Sequence, residues 1–163
     1  MTVKRVICAV IVRDGRALLA RRAPGQKHEG LWEFPGGKVE AGETDAACLE
    51  RELQEEFGVA GRTGAHLCDS VCAYPELDLQ ITLCAYFFDW QSGEFQLRVH
   101  DQIQWADAQG LKTAQLTAAD VQIAAAAGRL LKECHIKARL AKRQPGFLYK
   151  RLLVIPRAFP HRG

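Results

Sequence analysis

The stretch GKVEAGETDAACLERELQEEFGV, Gly37 to Val59, decides how this chain is read. Its second half predicts a helix over Asp45 to Phe57. Thr44 stands before it as N-cap, Asp45 places negative charge at the positive helix end, and Gly58 follows as a natural C′ residue. Ala46, Leu49, Leu53 and Phe57 form an apolar stripe at helical spacing. At about 100° per residue, Glu52, Glu55 and Glu56 fall within about 100° of arc, beside that stripe rather than opposite it. Like charges three and four residues apart destabilise a helix, so a face that keeps three of them needs a counter-charge. A hard divalent cation with oxygen ligands, Mg²⁺ above all, meets that need.

A run of glutamates also suits a solvated helix face. Three neighbours weigh the other way. Pro35-Gly36-Gly37 lets backbone carbonyls and amides approach an ion or a phosphate closely. Glu43 precedes the helix, and Arg51 sits among the acids as a rigid, two-pronged donor for carboxylates.

Outward from this stretch, Val3 to Arg13 is apolar and β-branched, Asp14-Gly15 marks a tight turn, and Ala17 to Ala20 resumes as the second arm of a hairpin. Arg22 to Gly30 reads as a loop and Trp32 to Phe34 as a short strand. Strand-like runs cover His66 to Tyr74 and Leu77 to Phe88, with Pro75-Glu76 between them, and Gln102 to Trp105. Ala118 to about Lys142 predicts a second long helix. Strands and helices do not alternate regularly, which favours an α+β sandwich with a mixed sheet over a doubly wound one.

The chain has 163 residues, 48% hydrophobic and 25% charged, as expected of one globular domain. No apolar stretch approaches the roughly 18 residues of a membrane span. The N-terminus lacks a small-residue cleavage site, so no signal peptide is expected. Cys8, Cys48, Cys68, Cys72, Cys84 and Cys134 lie scattered in apolar segments and read as small buried thiols of a cytoplasmic protein. Charge is uneven. Lys132 to Gly163 holds nine Lys or Arg against Glu133 alone, so it carries +8 of a net +3, and the preceding 131 residues carry −5. An acidic body with a basic extension differs from a uniformly basic nucleic-acid binder.

Gly37, five residues, Glu43, seven residues, Arg51-Glu52-Leu53, one residue, Glu55-Glu56, one residue, Gly58-Val59: this spacing resembles the Nudix box at every defined position. LLARRA before the box, LWEFPGGKVEAGE leading into it and ITL after it resemble the MutT-like branch. The resemblance covers Val3 to Leu131. It implies an α/β/α sandwich with a catalytic loop and helix in a domain of residues 1–131. Residues 132–163 then form the helix end and a basic extension. It also implies a hydrolase that splits nucleoside triphosphates into monophosphate and pyrophosphate. Glu52, Glu55 and Glu56, with the Gly37 carbonyl, would hold Mg²⁺, for which Mn²⁺ can substitute. Arg51 and Glu43 would pair and hold the loop against the helix. Glu52 is the first candidate for general base. Arg22 would meet substrate, Phe34 would sit against the base, and Asp120 would hydrogen-bond it, with an N-cap role as its alternative. A carboxylate at 120 selects bases that present amino or N–H donors: cytosine, guanine or oxidised guanine.

Two positions depart from the family pattern. Val99 stands where a metal-binding or basic Glu is usual, with His100 and Asp101 as its nearest substitutes. Leu77 to Gln80 lacks the Arg that often reaches the base. The expected activity is sanitation of oxidised or modified nucleotides, a role in DNA repair, with 8-oxo-dGTP first and CTP or 5-methyl-dCTP as alternative. A non-catalytic recognition module is the reading from outside enzymes, but such domains normally lose several box carboxylates and this chain keeps them all. The expected partner is a nucleoside triphosphate, with neither membrane nor nucleic acid, in a monomer or small homo-oligomer.

Overall fold

The computed structural model describes residues 2–143, with side chains through residue 137. The expectations placed on residues 144–163 lie outside this range. The N-terminal strand β1 (Thr2–Val10) is central. It pairs in parallel with β7 (Leu79–Ser92), from Thr2 opposite Leu79 to Val10 opposite Phe87, and antiparallel with β5 (Gly36–Lys38). β6 (Ala60–Tyr74) lies antiparallel to β7, giving the order β5-β1-β7-β6. In a second sheet, β3 (Arg16–Arg22) carries β2 (Val12–Arg13) and β4 (Trp32–Glu33) on one edge and β8 (His100–Ala106) on the other. Asp14 and Gly15 both have positive φ, 50° and 72°, as a two-residue turn between β2 and β3 demands.

The second half of β1, Ile7 to Val10, reads as a continuous apolar run because both its faces are buried there. Ile7 and Ala9 join Leu49, Leu53, Phe57 and Val59 in one core, covered by α1 (Asp45–Phe57). Cys8 and Val10 join Phe34, Leu83, Leu111, Ile123 and Leu131 in the other, covered by α2 (Ala108–Thr113) and α3 (Asp120–Arg143). The result is the expected α/β/α arrangement.

α1 has the bounds and caps that its sequence implies. Thr44 Oγ1 accepts from the Ala47 N–H at 3.2 Å, and Gly58 closes the helix in the left-handed region at φ 68°. Its buried stripe is Cys48, Leu49, Leu53 and Phe57. Ala46, expected in that stripe, is exposed, because Cys48 instead faces the carbonyls of Gly37 and Lys38. The first turn is tied to the sheet through Asp45, which accepts from the Arg5 guanidinium and from the Tyr86 hydroxyl at 2.6 Å.

Other bounds shift. β6 begins at Ala60, β7 runs to Ser92, and a 3₁₀ turn at Pro75–Leu77 joins them. α2 had no sequence signal of its own, since Gly110 breaks the helical pattern. Asp107 starts it by accepting from the Gln109 and Gly110 N–H groups. The expectation of buried thiols holds for Cys8, Cys48 and Cys84. Cys68 and Cys72 are half-buried and Cys134 is exposed on α3, and all six thiols are free.

Candidate active site

Arg51 is the hub of the box. Its Nε and Nη2 donate to the two oxygens of Glu43 at 2.9 and 3.0 Å, a bidentate pair that holds the Glu43 carboxyl down at about 2. Nη1 donates to Glu52 at 3.0 Å and to Glu55 at 3.2 Å, and Nη2 also reaches the Lys38 carbonyl at 3.2 Å. One guanidinium thus fastens the loop to the helix and gathers two of the three helix carboxylates. Glu52 stands hard against Gly37. A Cβ at 37 would lie 2.1 Å from the Glu52 carboxyl carbon, so any side chain here would displace that carboxyl.

Glu56 differs from its neighbours. Its Oε2 is buried without a hydrogen-bond partner, and burial pushes its carboxyl up to about 7. It lines a cavity of about 580 Å³, shared with Arg22, Glu33, Gly37, His100 and Asp120. Glu55, by contrast, is 61% exposed. As they stand, no three Asp, Glu, His or Cys side chains among the described residues form a metal cage, since Arg51 holds Glu52 and Glu55. The donor set still fits a hard divalent cation. Its ligands would all be oxygens, and one of them is a buried carboxylate oxygen with nothing else to bind.

On the opposite wall, Arg22 Nη1 donates to both oxygens of Glu33 at 2.8 and 2.9 Å, and its Nε donates to the Lys27 carbonyl at 2.5 Å. His100 Nε2 lies 2.9 Å from Glu33 Oε1, an oxygen that Arg22 also reaches. Burial works to raise the Glu33 carboxyl, but His100 and Arg22 outweigh it and hold it below the usual range. The His100 ring stacks on Phe57 with centroids 5.0 Å apart, which links this wall to the last residue of α1.

Asp120 closes the interior. Its carboxylate accepts from the Phe34 N–H at 2.8 Å and from the Thr117 hydroxyl. Asp120 is the first residue of α3, and its side chain binds the strand end and the turn before that helix. Burial nevertheless pushes its carboxyl up to about 7.

Thus Gly37, Glu43, Arg51, Glu52, Glu55 and Glu56 come together around one loop and helix, with Arg22, Phe34 and Asp120 lining the adjoining cavity. Of the two substitutes considered beside Val99, His100 enters the site, while Asp101 is turned away into a bidentate pair with Arg21. Sequence reasoning missed Glu33. Its signal was a charge between Trp32 and Phe34 in a strand, a place where a carboxylate needs a partner.

The comparisons agree with this geometry. A family model described as NUDIX domain matches residues 1–127. CTP pyrophosphohydrolase of Escherichia coli is 33% identical over 124 residues, 76% of this chain and 90% of that one. The 8-oxo-dGTP diphosphatase of Haemophilus influenzae is 31% identical over 135 residues, 79% of this chain and 93% of that one. The crystal structure of MutT NUDIX hydrolase from Burkholderia pseudomallei is 30% identical with a TM-score of 0.66, covering 76% of this chain and 96% of that one.

Proposed function

This chain belongs to the NUDIX family of hydrolases, and on that premise we propose that it is a Mg²⁺-dependent nucleoside triphosphate pyrophosphohydrolase of the cytoplasm that sanitises modified nucleotides, 8-oxo-dGTP first. The observation that carries this reading is that Glu56, Gly37, Arg22 and Asp120 all line one cavity of about 580 Å³. That volume suits a small nucleotide.

Glu52, Glu55, Glu56 and the Gly37 carbonyl would hold the cation. Bound there, it would neutralise developing phosphate charge and lower the pKa of a water. Arg22, fixed by Glu33, presents its guanidinium to a phosphate oxygen. Arg51 keeps Glu52 and Glu55 on the box side of the helix, where Glu52 takes a proton from the attacking water. Water oxygen bonds to phosphorus, the bridging P–O bond breaks, and pyrophosphate leaves. Asp120 accepts a base N–H through lone pairs left over from Phe34 and Thr117.

That acceptor equally suits the cytosine amino group, so CTP and 5-methyl-dCTP are the second reading. Pyrophosphate release with Mg²⁺ across 8-oxo-dGTP, dGTP, CTP, dCTP and 5-methyl-dCTP tests the proposal. At least one of these is expected to turn over, with Glu52→Gln and Glu56→Gln folded and each at least 100-fold slower in kcat. Such losses are usual when a metal ligand or base is removed. Silence across the panel, or Glu variants as active as the wild type, overturns the enzymatic reading and favours a recognition module.

A further inference from the structure

The last turn of α1, Gln54 to Phe57, is ill-suited to its end of the helix. Glu55 and Glu56 stand at the negative end of the helix dipole, and the turn contains no basic residue. Glu52, three and four residues back, adds a third like charge. The last four carbonyls also have no partner within the helix itself. The carboxylates are what the site needs, so the stabilisation has to come from outside α1.

It comes from residues 93–98, which join β7 to β8. Arg98 Nη1 donates to the Glu55 carbonyl at 2.9 Å and to the Gln54 carbonyl at 3.1 Å. The Arg98 N–H reaches the Glu56 carbonyl at 3.4 Å, and the Gln96 N–H reaches the Phe57 carbonyl at 2.9 Å. Two residues thus meet all four terminal carbonyls. The guanidinium stands where the dipole favours a cation. Gln96 Oε1 accepts from Arg98 Nη2 at 2.7 Å, which fixes the fork.

The segment is seated closely. The Phe95 ring packs edge-on against Phe57 and Trp90, with centroids 5.8 and 4.9 Å apart. A Cβ at Gly93 would lie 2.5 Å from the Gly58 carbonyl oxygen, and one at Gly58 would lie 3.0 Å from Arg98 Nη2. Beyond Arg98 the chain becomes cavity wall. Val99 lines the cavity, its carbonyl accepts from Gln26 Nε2 at 2.8 Å, and His100 meets Glu33. One short segment therefore ties the end of α1 to the opposite wall.

We propose that Arg98 is a positioning residue of the active site, which clamps the last turn of α1 and so holds the Glu55 and Glu56 carboxylates in place for a divalent cation. This rests on the reading above that these carboxylates bind the cation. The Arg98 guanidinium bonds helix carbonyls and Gln96, so it acts on the carboxylates through the helix backbone.

The test compares Arg98→Met and Arg98→Lys with Arg5→Met, which removes the guanidinium bound to Asp45 at the other end of the same helix. Four quantities are read: melting temperature, Mn²⁺ affinity by electron paramagnetic resonance without nucleotide, kcat and KM with Mg²⁺, and amide exchange of residues 55–57 by NMR without metal. Groups that hold metal ligands in place are worth about ten- to hundredfold in affinity or activity. Arg98→Met is therefore expected to weaken Mn²⁺ binding and to lower kcat about tenfold each, with KM within about twofold, and to speed exchange in the last turn about tenfold. Arg98→Lys keeps a cation and donors for the same carbonyls and is expected to stay within about threefold of the wild type. Arg5→Met is expected to lower the melting temperature but to leave Mn²⁺ affinity and kcat within about twofold of the wild type, since Asp45 is far from the last turn along the helix. Arg98 is exposed, so its variants are expected to fold. Arg98→Gln, with a donor but no charge, carries the comparison if Arg98→Met does not. A lower melting temperature in Arg98→Met with unchanged Mn²⁺ affinity and kcat, or unchanged exchange in the last turn, overturns the proposal. If the wild type binds Mn²⁺ but hydrolyses no nucleotide, Mn²⁺ affinity and exchange still decide the role of Arg98 and only the hydrolytic reading falls. A wild type that binds no Mn²⁺ overturns both.

Discussion

Asp120 is 3% exposed, and burial raises its carboxyl to about 7 despite the two hydrogen bonds it accepts. A carboxyl with a higher pKa folded than unfolded binds its proton more tightly in the fold. Its stabilising effect is full below about pH 4 and is lost as pH rises to about 7. Asp120→Asn keeps an acceptor for the Phe34 N–H but has no charge to bury. Relative to this variant, the wild type is expected to lose stability between about pH 4 and pH 7, read from urea midpoints. A difference that does not change with pH would mean that Asp120 stays ionised throughout. Glu56 titrates in the same direction, which is why the variant difference is the quantity to measure. At this scale, legibility depended on chain distance. Arg51 and Glu43 are eight residues apart on one loop and helix, and their pairing could be read from spacing. Glu33 and His100 are 67 residues apart and meet because both β4 and β8 pair with β3, which no local pattern announces.

The loop and helix from Gly37 to Phe57 act as one element whose spacing tolerances are small. Gly37→Ala places a methyl group where the Glu52 carboxyl now lies, 2.1 Å from its carbon. The carboxyl must move, so kcat is expected to fall at least tenfold, while far-UV circular dichroism keeps the helix signal. A fully active Gly37→Ala enzyme would show that the position of Glu52 is not critical. α1 was legible to its end residues because Thr44, Asp45 and Gly58 act locally. Its buried face was less so: Ala46 and Cys48 lie two positions apart, and the contact of Cys48 with the loop carbonyls decides which one faces inward. α2 stayed hidden because six residues with a central glycine carry no period, and only the Asp107 cap marks them.

Across the molecule, the two cores are built, among the described residues, from side chains up to Leu131, and the family match ends at residue 127. A chain ended after Arg143 is therefore expected to keep its melting temperature and its hydrolytic activity. Its net charge would drop from +3 to −1, because Lys150, Arg151, Arg157 and Arg162 are removed with no acid. A loss of more than half the activity in that variant would assign the extension a part in the enzyme. The central place of β1 has a consequence for synthesis. Its parallel partner begins 77 residues later, at Leu79, and the pairing runs on to Phe87. During synthesis, β1 has only the three-residue β5 to pair with until Phe87 has cleared the exit tunnel. At about 5–20 residues per second, that wait lasts several seconds and leaves the β7-facing edge of β1 as a natural client for chaperones.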